Sequence, residues 1–412
     1  MYQPAAIDRR SRKSDVEILG QAMAIVSASG VEALTVRALA DRCAMSPSLI
    51  SYRFGSKQGL VNALVDHVDE RLAGLWAGRC AGLPADALDH GALGSLALGI
   101  LVDNRISHWD LMRTAWALQV GALRETDTLF RPPRSAMSTA YWEQVLTLAR
   151  LSPELADGLA TTLDSVGHTL LVGAHSPELT AWCGDVLALQ FARLSDGQLF
   201  KPRESLARLK YAPAELKHSP ALPAPKTPAT IIETTKAIIR SDGYRAVSHR
   251  EIARRSGVSL SSMTHHFASL DDILMSAYWS LYAEATTAVR AVQASEDPYP
   301  IGVYIDQVLP AMTQTAQSSG LNHTVIEEIL LLSAQRKEMR QMGLALFASM
   351  GETTHTMLGD GKDFDRLDAH LLRHALRGAA LQLAQSQNHA IGEEMSRYLK
   401  HVFDPVRGEE KG

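Results

Sequence analysis

Short hydrogen-bonding side chains crowd two places in this chain. The first is MSPSLISYRFGSK, residues 45–57, with Ser46, Pro47, Ser48, Ser51, Tyr52, Arg53 and Lys57. The second is VSLSSMTHHFASL, residues 258–270, with Ser259, Ser261, Ser262, Thr264, His265 and His266. The chemistry these residues suit is recognition. Hydroxyl, phenol and imidazole groups along the outer side of a short helix match donors and acceptors on base edges in a major groove, where large apolar groups would not. Arg53, Lys57 and His266 stand where phosphates would run, and phosphate contacts position without reading sequence. Thr35 and Arg37, with Ser248 and Arg250, open the helix before each stretch and complete the candidate DNA contacts.

Bond-making chemistry finds no such support. His370 and His374 lie four apart on one helix face, but two ligands leave a tetrahedral metal site incomplete, and no Glu follows the first His. No nucleophile elbow, phosphate loop or glycine-rich dinucleotide turn occurs. Neither an enzyme, a metal nor a cofactor is expected.

The elements that must position these residues follow from caps and periodicity. Val16, Leu19, Ala22, Met23 and Val26 recur at helical spacing over 15–28, and Gly30 ends that helix. Thr35 caps VRALADRCA, and a turn follows at Ala44-Met45. Ser46 caps PSLISYRF with Pro47 in its first turn, and Ser56 caps a fourth helix beginning KQGLVNALVDHV. Different residues mark the same boundaries in the second stretch: Gly243, a Ser248/Glu251 capping box, a turn at Gly257, Ser259, then Ser269 with Asp272. Ile18 falls on Ile231, Gly30 on Gly243, Arg37 on Arg250, Ala40 on Ala253 and Phe54 on Phe267, at one constant offset of 213 (231 − 18). Identity fades after Leu60 and Ile273. A helix, a tight turn and a short polar helix make a helix-turn-helix, and this chain holds two.

Composition sets the frame. The 412 residues exceed one core, which predicts two or more domains. A net charge of -4 gives no global pull toward nucleic acid, so binding must rest on local basic clusters such as Arg9, Arg10, Arg12 and Lys13. Cys43, Cys80 and Cys183 have no metal-like spacing and read as buried thiols in a reducing compartment. No signal-peptide core or membrane-length apolar run is found, and a cytoplasmic chain without a membrane partner is expected. Prolines 213, 220, 223, 225 and 228 forbid a continuous helix over 211–230, and a Pro-rich linker is expected at 211–226.

At this point a resemblance becomes specific. ILGQAMAIVSASGVEALTVRALADRCAMSPSLISYRFGSKQGL and TIIETTKAIIRSDGYRAVSHREIARRSGVSLSSMTHHFASLDDIL both resemble the DNA-binding domain of the TetR/AcrR family of transcriptional repressors. The resemblance implies an all-α fold of two tandem modules, each a three-helix helix-turn-helix domain followed by a helical ligand and dimerisation domain. The expected domains are 14–60, 61–210, the linker 211–226, 227–273 and 274–404. Implied partners are double-stranded operator DNA and a small effector. The two modules form either an intramolecular pseudo-dimer or part of a homodimer; in an alternative, the second is only a dimerisation or sensor unit. Three departures stand out. The family's recognition-helix Tyr is Ser51 and Thr264, its Lys is kept as Lys57 but replaced by Leu270, and its turn Gly is Ala44 in the first copy and Gly257 in the second. Trp109, Met112, Trp116, Phe130 and Trp142 in the first half, and Met339, Met342, Phe347 and Met350 in the second, are candidate effector contacts. Few buried charges are evident among these helices, which favours an apolar or aromatic effector.

Overall fold

The computed structural model describes residues 14–123, 136–173, 176–195, 226–292, 300–313, 323–359, 364–385 and 389–403. The fold is all-α. The first half contains α1 (Asp15–Ser29), α2 (Val36–Cys43), α3 (Pro47–Phe54), α4 (Lys57–Ala81), α5 (His90–Ser107), α6 (Trp109–Ala122), α7 (Ala136–Leu148), α8 (Ala156–Val172) and α9 (Pro177–Leu194). The second contains α10 (Lys226–Asp242), α11 (His249–Ser256), α12 (Leu260–His266), α13 (Leu270–Val292), α14 (Ile301–Thr313), α15 (His323–Gln335), α16 (Arg340–Leu358), α17 (Arg366–Gln385) and α18 (His389–Phe403). The linker 211–226 lies outside the described residues up to 225; Lys226 opens α10, and Pro228, expected to bar a helix, instead sits in its first turn, where a missing N–H costs nothing. The basic stretch from Arg9 to Lys13 and Phe130 also lie outside them.

The repeat persists where sequence identity has faded. Moved by 213, α2 (36–43) becomes 249–256, the bounds of α11, and α6 (109–122) becomes 322–335, against 323–335 for α15. Likewise α8 (156–172) becomes 369–385, inside α17. Helix spacing is kept by packing geometry, which tolerates residue exchange as long as the buried stripe survives.

The chain divides into two compact units: residues 1–83 with 107–141, and 84–106 with 142–412. In the first, Ile18, Ala22 and Val26 of α1 are buried with Leu39 and Ala40 of α2, Ile50 of α3 and Leu60 and Leu64 of α4. Val16, expected on the apolar stripe of α1, is instead 65% exposed, because the buried stripe runs through Ile18 and Leu19. Two hydrogen bonds join α6 to α1: Ser27 Oγ donates to Asp110 Oδ1 at 2.7 Å, and Thr114 Oγ1 to the Met23 carbonyl at 3.0 Å. At the equivalent positions of the second repeat stand Arg240, His323, Glu327 and Lys236.

The second unit uses those residues differently. Lys236, almost fully buried on α10, is held by Glu233 at 2.7 Å and by Glu284 of α13, which also takes Arg240 at 2.6 Å. Thus α10 is tied to α13 by charge. Deeper in the unit, α8 and α9 pack on α17 and α18. Two glycines allow the close approach. A Cβ on Gly378 would meet the Thr161 carbonyl oxygen at 2.4 Å, and one on Gly158 would meet the Tyr398 ring.

Candidate nucleic-acid interface

Both recognition helices are built by the same sequence of caps. Thr35 Oγ1 accepts from Ala38 N at 3.0 Å, Ser46 Oγ from Leu49 N at 3.2 Å and Ser56 Oγ from Gly59 N at 3.2 Å. In the second copy Ser248 accepts from Glu251 N at 3.1 Å, Ser259 from Ser262 N at 3.2 Å and Ser269 from Asp272 N at 3.1 Å. Each bond satisfies one of the amides left over at a helix start. The turn between α2 and α3 needs a left-handed residue. Gly257 supplies it at φ 72° without strain, whereas Ala44 adopts φ 54°.

The Ser248/Glu251 pair is only half a capping box. Glu251 does not reach back: its carboxylate takes Arg254 Nη2 and Arg255 Nε, both at 2.6 Å. Arg255 also reaches Asp242 at 2.6 Å. Two guanidinium groups out-compete one backbone N–H because each brings a full positive charge to the carboxylate, where the N–H brings only a dipole. Those bonds hold the Glu251 carboxyl down at about 2, so the trio stays ionised.

Inward-facing pegs anchor the two recognition helices: Ile50 in α3 and Met263 in α12, equivalent positions of the two repeats and both fully buried. Most of the candidate contacts point outward. Thr35, Arg37, Ser46, Pro47, Ser48, Ser51, Tyr52 and Lys57 are exposed, as are Ser248, Arg250, Ser259, Ser261, Thr264, His265 and His266. Ser262 and Arg53 are half-buried, and Arg53 pairs with Asp15 at 3.0 Å. Tyr52 is 88% exposed and His265 packs edge-on against His266. Most members of each set are thus exposed on the helix-turn-helix that carries them. Sequence reasoning missed Leu260, 55% exposed at the first position of α12. Its place beside the Ser259 cap, matching Pro47, was the available signal; its apolar type hid it.

The interior candidates fall in different units. Trp109, Met112 and Trp116 belong to the first unit, and Trp142, Met339, Met342, Phe347 and Met350 to the second. Trp116, Trp142, Met339 and Met342 are almost wholly buried, while Trp109 is half-buried with the Arg113 guanidinium 4.9 Å above its ring.

The expectation of few buried charges is wrong. Arg377 of α17 and Glu327 of α15 are buried and form a two-pronged pair at 2.6 Å each. Arg377 also donates to Ser165 Oγ at 3.2 Å and to His168 Nδ1 at 3.3 Å, both on α8. Since Arg has only donors, His168 must accept through Nδ1 and is neutral. Ser165 Oγ meets His374 Nδ1 at 3.1 Å, and Phe347 stacks on His374. Burial first, then the nearby Arg377 charge, holds His168 and His374 well below the usual imidazole range. Burial brings His323, 3.9 Å from Glu327, down to about 4. Helical periodicity alone hid this cluster, because Arg377 and Glu327 lie far apart in sequence, on different helices. His370 and His374 flank Trp182. Among the described residues no group of three or more His, Cys, Asp or Glu is placed to hold a metal ion, and no helix is long and apolar enough to cross a membrane.

A family model described as bacterial regulatory proteins, tetR family, matches the chain twice, over residues 18–64 and 231–277. The starts of the two matches differ by 213 (231 − 18), the offset read from the caps. No curated protein matches the chain.

Proposed function

Because the chain belongs to the tetR family of bacterial regulatory proteins and carries the family's DNA-binding unit in tandem, we propose that this DNA-binding transcription regulator is a single-chain pseudo-dimer. Its two recognition helices read the two half-sites of one operator. The observation that carries this reading is the packing of α8 and α9 on α17 and α18, the same two helices of each repeat. A two-fold pairing has this form: if i meets j, the equivalent of j meets the equivalent of i.

The base-reading groups are Ser48, Ser51 and Tyr52 of α3 and Ser261, Ser262, Thr264 and His265 of α12. Arg37, Arg53, Lys57, Arg250 and His266 take phosphates, and Thr35, Ser46, Pro47, Ser248 and Ser259 approach the backbone from helix starts. Leu260 supplies an apolar contact for a thymine methyl group. Because the two faces differ, the operator is an imperfect palindrome with half-sites about one helical turn apart, roughly 34–36 Å. The protein represses transcription, and a small effector releases DNA by binding better to a state in which the recognition helices no longer match that spacing. Effector contacts come from Trp109, Met112, Trp116, Trp142, Met339 and Met342. An apolar or aromatic effector suits the first module better than the second, whose interior holds Arg377 and Glu327.

A second reading, in which the second module only pairs or senses, draws support from one observation. Arg254 and Arg255 are held by Glu251 and Asp242, and Leu270 stands in the place of Lys57. Binding to a footprinted operator separates the two. Ser48→Glu with Arg53→Glu abolishes binding under either reading. Ser261→Glu with His266→Glu abolishes it under the first and leaves it intact under the second.

A further inference from the structure

The helix pairing between the repeats is symmetric in position. Thr161 meets Gly378 and Ser165 meets His374. These are mirror contacts, since 161 + 213 is 374 and 165 + 213 is 378. The side-chain chemistry at the same seam is not symmetric. Tyr398 of α18 lies over Gly158 of α8, and its hydroxyl reaches Gln190 Oε1 and Thr162 Oγ1, each at 3.2 Å. The equivalent positions hold Asp185 for Tyr398, Leu371 for Gly158, Phe403 for Gln190 and Ala375 for Thr162. Arg193 of α9 binds the fully buried Asp368 of α17 at 2.6 Å, and the equivalents are Val406 and Leu155. Arg377 reaches Ser165 and His168, and the equivalents are Asp164, Gly378 and Leu381.

From this we propose that the seam is specific for unlike modules: the α8–α9 face accepts the α17–α18 face and rejects a second copy of itself. The proposal rests on the pseudo-dimer reading. Pairing α17 and α18 with their own kind puts Leu371 where the Tyr398 ring requires Gly158. It also deprives Asp368 of Arg193, whose equivalent is an apolar valine. Pairing α8 and α9 with their own kind sets Arg193 opposite Leu155 and leaves Gly158 facing Asp185. Each like pairing strands a charge or a ring that the unlike pairing satisfies, which is discrimination by repulsion and desolvation. The partner for either face is therefore the other module, from this chain or by reciprocal exchange with another.

The test uses the full-length chain with a protease site inserted between residues 211 and 225, cleaved after folding. Native mass spectrometry then reads which fragments stay together. One N-terminal fragment with one C-terminal fragment is expected, with no pair of like fragments. Arg193→Asp should weaken the fragment pair at least about tenfold, and adding Asp368→Arg to the same chain should restore it. Pairs of like fragments, or a double variant no tighter than the single one, would overturn the inference and leave the pseudo-dimer reading standing. Fragments that separate as single species would sink both. Loss of DNA binding with the fragment pair intact would count against the operator reading alone.

Discussion

Ala44 and Gly257 do the same task in the two helix-turn-helix units at different conformational cost. A residue with a Cβ in the left-handed region is disfavoured by about 1–2 kcal/mol, and Ala44 sits there at φ 54°. Ala44→Gly should therefore stabilise the first unit by about 0.5–1 kcal/mol after the entropy of the more flexible unfolded chain is subtracted. Urea unfolding of the variant and its parent measures this, and an unchanged midpoint would show the turn to be unstrained. The caps around that turn were legible as single residues, because a Ser or Thr oxygen needs only a nearby amide of the first helical turn. The fate of Glu251 was not: its competing partners are Arg254, Arg255 and, through Arg255, Asp242 of another helix.

Among elements, one buried charge pair joins α15 to α17, and its arginine also reaches α8. Removing half of such a pair leaves an uncompensated charge and costs about 3–5 kcal/mol. Arg377→Met should lose that much, and adding Glu327→Leu should recover most of it, as read by thermal and denaturant unfolding. The three depressed histidines add a pH dependence. A base whose folded value lies below its unfolded value is stabilising while neutral. Its contribution is complete above about 6.5 and fades as pH falls through and below it. Stability should therefore decline between about pH 6.5 and 4, with up to roughly 1.4 kcal/mol per pH unit from each of His168, His323 and His374. His374→Phe should flatten the decline, measured as unfolding midpoints across that range. A variant with the slope of the parent would place the titration elsewhere. In the sequence nothing links His168, His323 and His374, because α8, α15 and α17 meet only in the folded chain.

For the whole molecule, the decisive number is how many chains occupy one operator. Light scattering of the complex should give one chain per protected site, with a single-chain mass in the absence of DNA. Two chains per site would move the pairing of helix-turn-helix units between molecules. Binding should also fall steeply with salt, and Lys57→Gln should reduce the slope of log K against log salt by about 1.

By itself the sequence determined the all-α class, the two helix-turn-helix units, their outward polar faces and the constant offset between the repeats. These depend on short-range rules: caps act within one helical turn, tight turns within a few positions, and amphipathic stripes within one helix. Tertiary structure alone decided that Val16 faces outward, that Arg377 and Glu327 meet in the interior, and that α8 and α9 pack on α17 and α18. These facts depend on which distant helices come together, and a local pattern carries no record of its partner. The asymmetry of the seam lies between these limits. Its residues are plain in the sequence, but Gly158 and Tyr398 become a slot and a ring only when α8 and α18 are side by side.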